Sequence, residues 1–495
     1  MTLGSIRRRD GRVKSKNGSN AAVGWEVAGA FSLTLILDSG SLPAWCRNEK
    51  RKLAVILGKG GAMVMVKKFG DLAWVLLLLL AFSLTGPGSS QALDSVKVGE
   101  VLPLSGAAAT QGTQIRAGAE VAVEEINAEG GIKSLGGAKI KLVFGDSKST
   151  PDGGAAETER LCTVEKVSLI LGAYQSGVTF PSTEVAERYK TPWIVNMAVK
   201  DEITERGFKY VFRNCNKASY DLMEMLKGVE LFSKETGKKP KTFALLYEGT
   251  DWGRSSAQFA KKFFPKASIN LILEESYPPG IVDFTSQILK LKAAKPDMLI
   301  LACYTPDHIL FNKQYMEQKL DLPYGLWSVG AGAEDPAFYK AVPPKTIEYM
   351  FVQDDWDVNG SKKPWYPDLN KKIKEKLGYD MNAYAAAGYD SMYVVKDVLE
   401  RAASADRDKI RDAIAATDIT AEKCSRIQRK DGGQTYCPAL VRGIQRIKFD
   451  EQGQNTFSHG VITQNQKGVK VPLSPIDVRP KGAKPIWPIP SWDKR

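Results

Sequence analysis

Histidine is nearly missing from this chain: two of 495 residues, His308 and His459. No G-x-S-x-G elbow, phosphate loop, paired C-x-x-C or H-E-x-x-H occurs either, so the common signatures of hydrolases, NTPases, redox enzymes and metalloenzymes are absent. No cofactor and no metal is expected, and catalysis is not. His308, in TPDHIL at the start of a helical pattern, is expected to cap that helix or lie at the surface. The Asp354-Asp355 doublet reads as a hinge or surface pair and not as a metal site.

A clustered cationic face is lacking as well. The chain is +13 overall, but residues 1–92 hold 13 Lys+Arg against 5 Asp+Glu and account for +8 of it. A polyanion partner needs Lys and Arg gathered on one surface, so nucleic acid is not expected as a partner. Cysteine is sparse too. Of six, Cys162, Cys215, Cys303, Cys424 and Cys437 follow residue 92. Cys424 and Cys437 flank the polar loop SRIQRKDGGQTY and are expected to form a disulfide, while Cys162 and Cys303 sit in apolar runs as small buried hydrophobes.

What is present begins with an export signal. In MVKKFGDLAWVLLLLLAFSLTGPGSSQA (65–92), Lys67 and Lys68 precede the apolar run Leu72–Leu84, which is too short for a comfortable membrane span. Ser90-Gln91-Ala92 follows as a cleavage site. Residues 65–92 therefore read as a signal peptide. Residues 1–64 read as a non-native upstream extension, with translation starting at Met65 or Met63. The mature protein is expected to begin near Leu93, in the periplasm, with no lipid anchor.

Some 400 residues exceed one ordinary core and predict two domains. Short apolar, β-branched runs alternate with helical patterns throughout. Strands are expected at 96–102, 140–144, 168–171, 193–196, 242–247, 270–274, 298–303 and 349–352. Helices are expected at 112–128, 154–165, 179–189, 220–235, 254–264, 284–294 and 307–319, with two more at 367–377 and 383–402. Such alternation predicts α/β lobes with doubly wound parallel sheets. The pattern occurs twice, over about 95–215 and 240–350. The division expected is 93–217 plus 352–442 for lobe 1, 218–351 plus 443–480 for lobe 2, and a Pro-rich tail or wrap at 481–495.

VKVGEVLPLSG, GAEVAVEEINAEGGI, KIKLVFGDSKSTPDGGAAETERL, LILGAYQSGVTFPSTEVAERYKTPWIV and YEGTDWGRS occur in that order. Together they resemble the periplasmic leucine/isoleucine/valine-binding proteins, type I solute-binding components of ABC importers, over about residues 95–465. The resemblance implies a three-crossover hinge and a ligand held between the lobes. It implies as partners a small carboxylate or amino-acid ligand and ABC permease subunits with a cytoplasmic ATPase, the protein itself being a monomer. A sensory module of the same fold, acting in signalling, is the alternative.

Carried over position by position, Ser176 matches a serine that grips the ligand carboxylate alongside helix N-terminal N–H groups, with Tyr174 in the same motif. Met197 and Val199 match the second carboxylate-binding segment. Trp252, Tyr304 and Tyr384 match aromatic or apolar cleft positions, and Gln111 stands where an aromatic is frequent. Two departures follow from the same match. Val199 replaces a threonine hydroxyl, and Gly330 stands near the position of a glutamate that pairs with the ligand ammonium, leaving Glu334 or Asp354 as substitutes. Amino acids and other carboxylates both stay open, with the apolar lining tilting the expectation toward aromatic or branched acyl carboxylates lacking an amino group.

Overall fold

A computed structural model describes residues 93–355 and 362–494, together with the backbone of five strands between residues 7 and 66. Those five, Arg7–Ser15, Gly18–Val27, Phe31–Ile36, Leu53–Leu57 and Ala62–Val66, pair in sequence order as an antiparallel sheet in a unit of their own. Apart from Met65 and Val66, the expected leader lies outside the described residues. Among the described residues no helix is long and apolar enough to cross a membrane.

The second unit, Ala92–Arg495, holds two large sheets and two short two-stranded ones, Asp418–Ile419 with Ile447–Lys448 and Arg429–Asp431 with Gln434–Tyr436. In lobe 1, β1 (Ser95–Leu102), β2 (Lys139–Asp146), β3 (Leu169–Gly172), β4 (Trp193–Val195) and β5 (Val211–Arg213) form the order β5-β4-β3-β1-β2, every ladder parallel. Leu169, Ile170, Leu171, Trp193, Ile194 and Val195 are all buried, as a sheet covered on both faces requires. Lobe 2 repeats the plan with β6 (Thr242–Glu248), β7 (Asn270–Tyr277), β8 (Met298–Ala302), β9 (Leu326–Val329) and β10 (Phe351–Asp354) in parallel. The antiparallel pair β11 (Val461–Gln466) and β12 (Val469–Ser474) extends its edge, in the order β7-β6-β8-β9-β10-β11-β12. The chain passes between the sheets three times: after β5, after β10 and before β11.

Helices α1 (Ala109–Ala128), α2 (Pro151–Thr163) and α3 (Ser176–Arg188) connect the strands of lobe 1. Helices α4 (Ala218–Thr236), α5 (Asp251–Phe263), α6 (Thr285–Ala294), α7 (Thr305–Glu317), α8 (Pro336–Ala341) and α9 (Pro344–Ile347) lead to and connect those of lobe 2. The chain then returns to lobe 1 through α10 (Tyr366–Leu377), α11 (Ala383–Ala402) and α12 (Arg407–Ala415), whose apolar residues join the core of β1 and β3. Helices α1 and α11 touch backbone to backbone. A Cβ on Gly118 would lie 1.8 Å from the Ala385 carbonyl oxygen, and one on Gly388 would lie 1.9 Å from that of Ile115.

The expected lobe boundaries shift in two places. A division at 351/352 would cut β10, whose Phe351 and Val352 are buried in the second sheet. A division at 442/443 precedes Ile444, Ile447 and Phe449, which are buried in the lobe 1 core. Of the two forms expected for the Pro-rich end, tail or wrap, the chain adopts the wrap. Trp487 is enclosed by Tyr324, Trp327, Phe351 and Phe232, and Trp492 stacks edge-on against Tyr315 at 4.9 Å. Cys424 is bonded to Cys437, with 5.8 Å between the Cα atoms, and Cys162, Cys215 and Cys303 are buried free thiols.

Candidate functional site

Where the lobes face each other, a cavity with about 30 Å³ of free volume is lined by Tyr174, Ser176, Met197, Val199, Asp221, Trp252, Tyr304, Val329, Gly330, Ala331, Glu334, Gln353, Asp355 and Tyr384. Its walls come largely from the carboxyl ends of strands, the usual place for ligands in open α/β sheets. Tyr174 and Ser176 follow β3, Met197 and Val199 follow β4, Trp252 follows β6, and Tyr304 follows β8. After β3, β6 and β8 the chain turns into a helix, and each turn leaves the first N–H groups of that helix unpaired by the helix itself. Ser176 opens α3 with its side chain buried, and its Oγ accepts the Lys200 N–H at 3.2 Å. Asn382 caps α11 by accepting from the N–H groups of Tyr384 and Ala385, which fixes Tyr384 at the cavity wall.

Four rings occupy much of the cleft. Tyr174 lies 5.8 Å from Tyr304 and 5.5 Å from Tyr384, and Trp252 lies 4.8 Å from Tyr304, centroid to centroid. These are favourable aromatic separations. Tyr174 belongs to lobe 1 and Tyr304 to lobe 2, so hinge opening parts them. The Tyr384 hydroxyl donates to the Ala331 carbonyl at 2.6 Å. The Tyr174 hydroxyl is buried and interacts with that of Tyr384.

The wall nearest the hinge is acidic. Asn216 Nδ2 donates to Asp221 Oδ1 at 3.0 Å and also to Asp355 Oδ1. Asp355 further accepts from Gln353 Nε2 at 2.9 Å, and Glu334 Oε1 accepts the Asp355 N–H at 2.6 Å. Burial pushes all three carboxyls above their ordinary range, and for Asp221 and Glu334 the neighbouring Asp355 pushes further. Carboxyls packed this closely resist simultaneous ionisation.

Seven of the eight residues expected at the ligand line this one cavity. Gln111 does not. Its Nε2 donates across the cleft to Thr305 Oγ1 at 3.1 Å and to Asp335 Oδ2 at 2.8 Å, so it ties the lobes together. Lys200 does the same with Asp251 at 2.7 Å. Of the two acids expected to replace the missing glutamate, Glu334 lines the cavity, whereas Asp354 pairs with Lys470 at 2.6 Å. Asp355, the residue after the strand, lines the cavity instead. At Gly330 the backbone has φ 51°, and an added Cβ would lie 3.1 Å from Gln353 Oε1, so a side chain there is strained. Asp221 and Gln353 escaped the sequence reading altogether. His308 is neither a cap nor a surface group. It is buried against Phe338, with Nε2 3.1 Å from Ser328 Oγ, and burial lowers its pKa to about 3. Among the described residues no group of His, Cys, Asp and Glu is arranged to hold a metal.

A family model described as periplasmic binding protein matches residues 95–445. Leu/Ile/Val-binding protein homolog 7 of Brucella abortus (strain 2308) is 30% identical over 408 residues, spanning 81% of this chain and 96% of the relative. Homolog 8 of Brucella suis biovar 1 is 29% identical over 407 residues, 80% and 94% of the two chains. Among solved structures, a branched-chain amino acid transporter substrate binding protein of Streptococcus pneumoniae in complex with isoleucine superposes with a TM-score of 0.62. It is 21% identical and covers 76% of this chain and 97% of its own. A solute binding protein of an ABC transporter from R. palustris in complex with benzoate has the same TM-score at 20% identity, covering 77% and 95%.

Proposed function

The chain belongs to the periplasmic binding protein family, and from that premise we propose that it captures one α-amino acid between its lobes and delivers it to an ABC importer. The isoleucine and benzoate complexes of proteins sharing this fold show that the architecture accommodates carboxylates with and without an amino group. The observation that carries the reading is therefore local: Asp221, Glu334 and Asp355 line the same cavity as Ser176.

The ligand carboxylate lies at the start of α3, where Ser176 and the first helical N–H groups offer donors and the helix dipole favours negative charge. The apolar body lies among Trp252, Tyr304, Tyr174 and Tyr384. The ammonium lies against the acidic wall, since a buried ammonium needs counter-charge. A carboxylate without an amino group gains nothing there. This reverses the tilt toward aromatic and branched acyl carboxylates. The free volume of about 30 Å³ holds only a few waters, so a ligand enters as the lobes part. Closure then brings both lobes onto it, coupling binding to conformation. Export by the 65–92 leader to the periplasm and docking on a permease with its ATPase complete the reading. The relatives favour transport over sensing.

A thermal-shift panel tests it with matched pairs: L-leucine against 4-methylpentanoate, and L-phenylalanine against 3-phenylpropanoate, with benzoate added. An amino acid at about 100 times its Kd should stabilise by about 2.7 kcal/mol, with no shift from its deaminated partner. Stabilisation by the deaminated acids alone would overturn the reading.

A further inference from the structure

We propose that Gln111 and Lys200 are latches: neither lines the ligand cavity, each binds the opposite lobe only in the closed form, and together they set the affinity for every ligand the cleft admits. This rests on the reading of capture between the lobes and adds to it the side chains that hold the closed form shut.

Four of the five residues in these contacts are chain neighbours of residues that line the cavity. Val199, Trp252, Tyr304 and Glu334 line it. The residue beside each, Lys200, Asp251, Thr305 and Asp335, instead makes a contact between the lobes. Each segment thus offers one side chain to the ligand and the adjacent one to the facing lobe. A ligand that draws in the first brings the second into register. Gln111, in the first turn of α1, completes the set from lobe 1.

Asp335 stands ready for Gln111. Its carboxylate caps α8 by accepting the Ala337 N–H at 2.9 Å, a contact inside lobe 2 that does not depend on closure. One amide nitrogen of Gln111 then supplies both of its hydrogens to lobe 2, one to Thr305 Oγ1 and one to Asp335 Oδ2. Gln111, Thr305 and Asp335 are all buried, so closure takes the three out of water, and a buried carboxylate needs such donors. The neighbouring Gln114 accepts from Asn382 Nδ2 at 3.1 Å, and Asn382 holds Tyr384 at the cavity wall, so latch and cavity share one hydrogen-bonded framework. At the other latch, Lys200 Nζ lies 3.9 Å over the Phe180 ring, which holds the ammonium on lobe 1 in reach of Asp251. Contacts made only in the closed form favour that form by the same factor whichever ligand is bound. They form after capture, so they act on the rate of release.

Calorimetry and stopped-flow fluorescence with L-leucine, L-phenylalanine, 4-methylpentanoate, 3-phenylpropanoate and benzoate test this. Gln111→Ala should raise Kd about tenfold or more for each compound that binds, since a hydrogen bond to a charged group is lost. The loss should come through faster dissociation, with the ratios of Kd between compounds unchanged and with urea unfolding of the empty protein unchanged. Gln111→Glu sets two carboxylates against each other and should weaken binding further. Adding Asp335→Asn, which caps α8 equally well, should restore most of that loss. Lys200→Ala acts at the other latch and should also weaken every compound by one factor, which keeps the test decisive if the α1 variants fail to fold. An unchanged Kd in Gln111→Ala and Lys200→Ala overturns the latches, as does a loss that differs between compounds or one matched by destabilisation of the empty protein; each of these leaves the amino-acid reading standing. Binding confined to the deaminated acids overturns the amino-acid reading, and a uniform loss among those acids still upholds the latches.

Discussion

Glu100→Gln should stabilise the protein increasingly as pH rises. Glu100 sits on β1 between Val98 and Leu102, fully buried, and neither carboxyl oxygen has a hydrogen-bond partner among the described residues. Burial raises its pKa from 4.5 to about 8, with a further upward push from Glu120 opposed by Arg116. A carboxyl that holds its proton more tightly when folded contributes stability that is complete below about pH 4.5 and is lost as pH rises through about 8. At about 1.4 kcal/mol per tenfold change in proton affinity, the loss amounts to about 5 kcal/mol. Glutamine keeps the shape and cannot ionise. The difference between the two proteins should therefore be small at pH 5 and approach several kcal/mol at pH 9. Chemical denaturation of both across pH 5–9 measures it, and the difference between the curves cancels the other titrating groups. Curves that stay parallel over the whole range would refute the reasoning.

Ser176→Ala should weaken amino-acid binding by about 1–3 kcal/mol if its hydroxyl donates to the ligand carboxylate; calorimetry showing no loss would leave the backbone N–H groups as its sole holders. Replacing Cys424 and Cys437 with serine should lower stability by about 3 kcal/mol, as expected for closing a loop of this length, and peptide mapping of exported protein that found both thiols free would contradict the bridge. Trp487→Ala should cost about 3–5 kcal/mol, because it empties the aromatic enclosure and removes the Nε1 donor to the Lys238 carbonyl at 2.8 Å; an unchanged melting temperature would show that the wrap is dispensable.

Much of this architecture is written in the chain. Runs such as Leu169–Leu171 and Met298–Leu301 are apolar at every position because both sheet faces are covered, and they stand out for that reason. The three-residue β5 and the four-residue β9, set in LPYGLWSVGAG, are too short for periodicity to register. The β11–β12 hairpin turns at Lys467-Gly468, both with positive φ, and its mixed residues lack the signature of a buried strand. At the cavity, serine and the rings follow motifs readable in order. The acidic wall does not, because Asp221 lies more than a hundred residues before Glu334 and Asp355 and only the hinge gathers the three. Gln111 was misplaced for a related reason, since whether a residue faces the ligand or the opposite lobe depends on closure, which sequence spacing does not encode.

The central claim is capture between two closing lobes, and small-angle scattering tests it most directly. The protein is measured alone and with a saturating concentration of whichever amino acid in the thermal-shift panel raises its melting temperature most. The account predicts a smaller radius of gyration with that amino acid, as the hinge closes and the contacts of Gln111 with Asp335 and of Lys200 with Asp251 form. An unchanged scattering curve alongside a raised melting temperature would contradict it, placing the ligand somewhere other than the cleft.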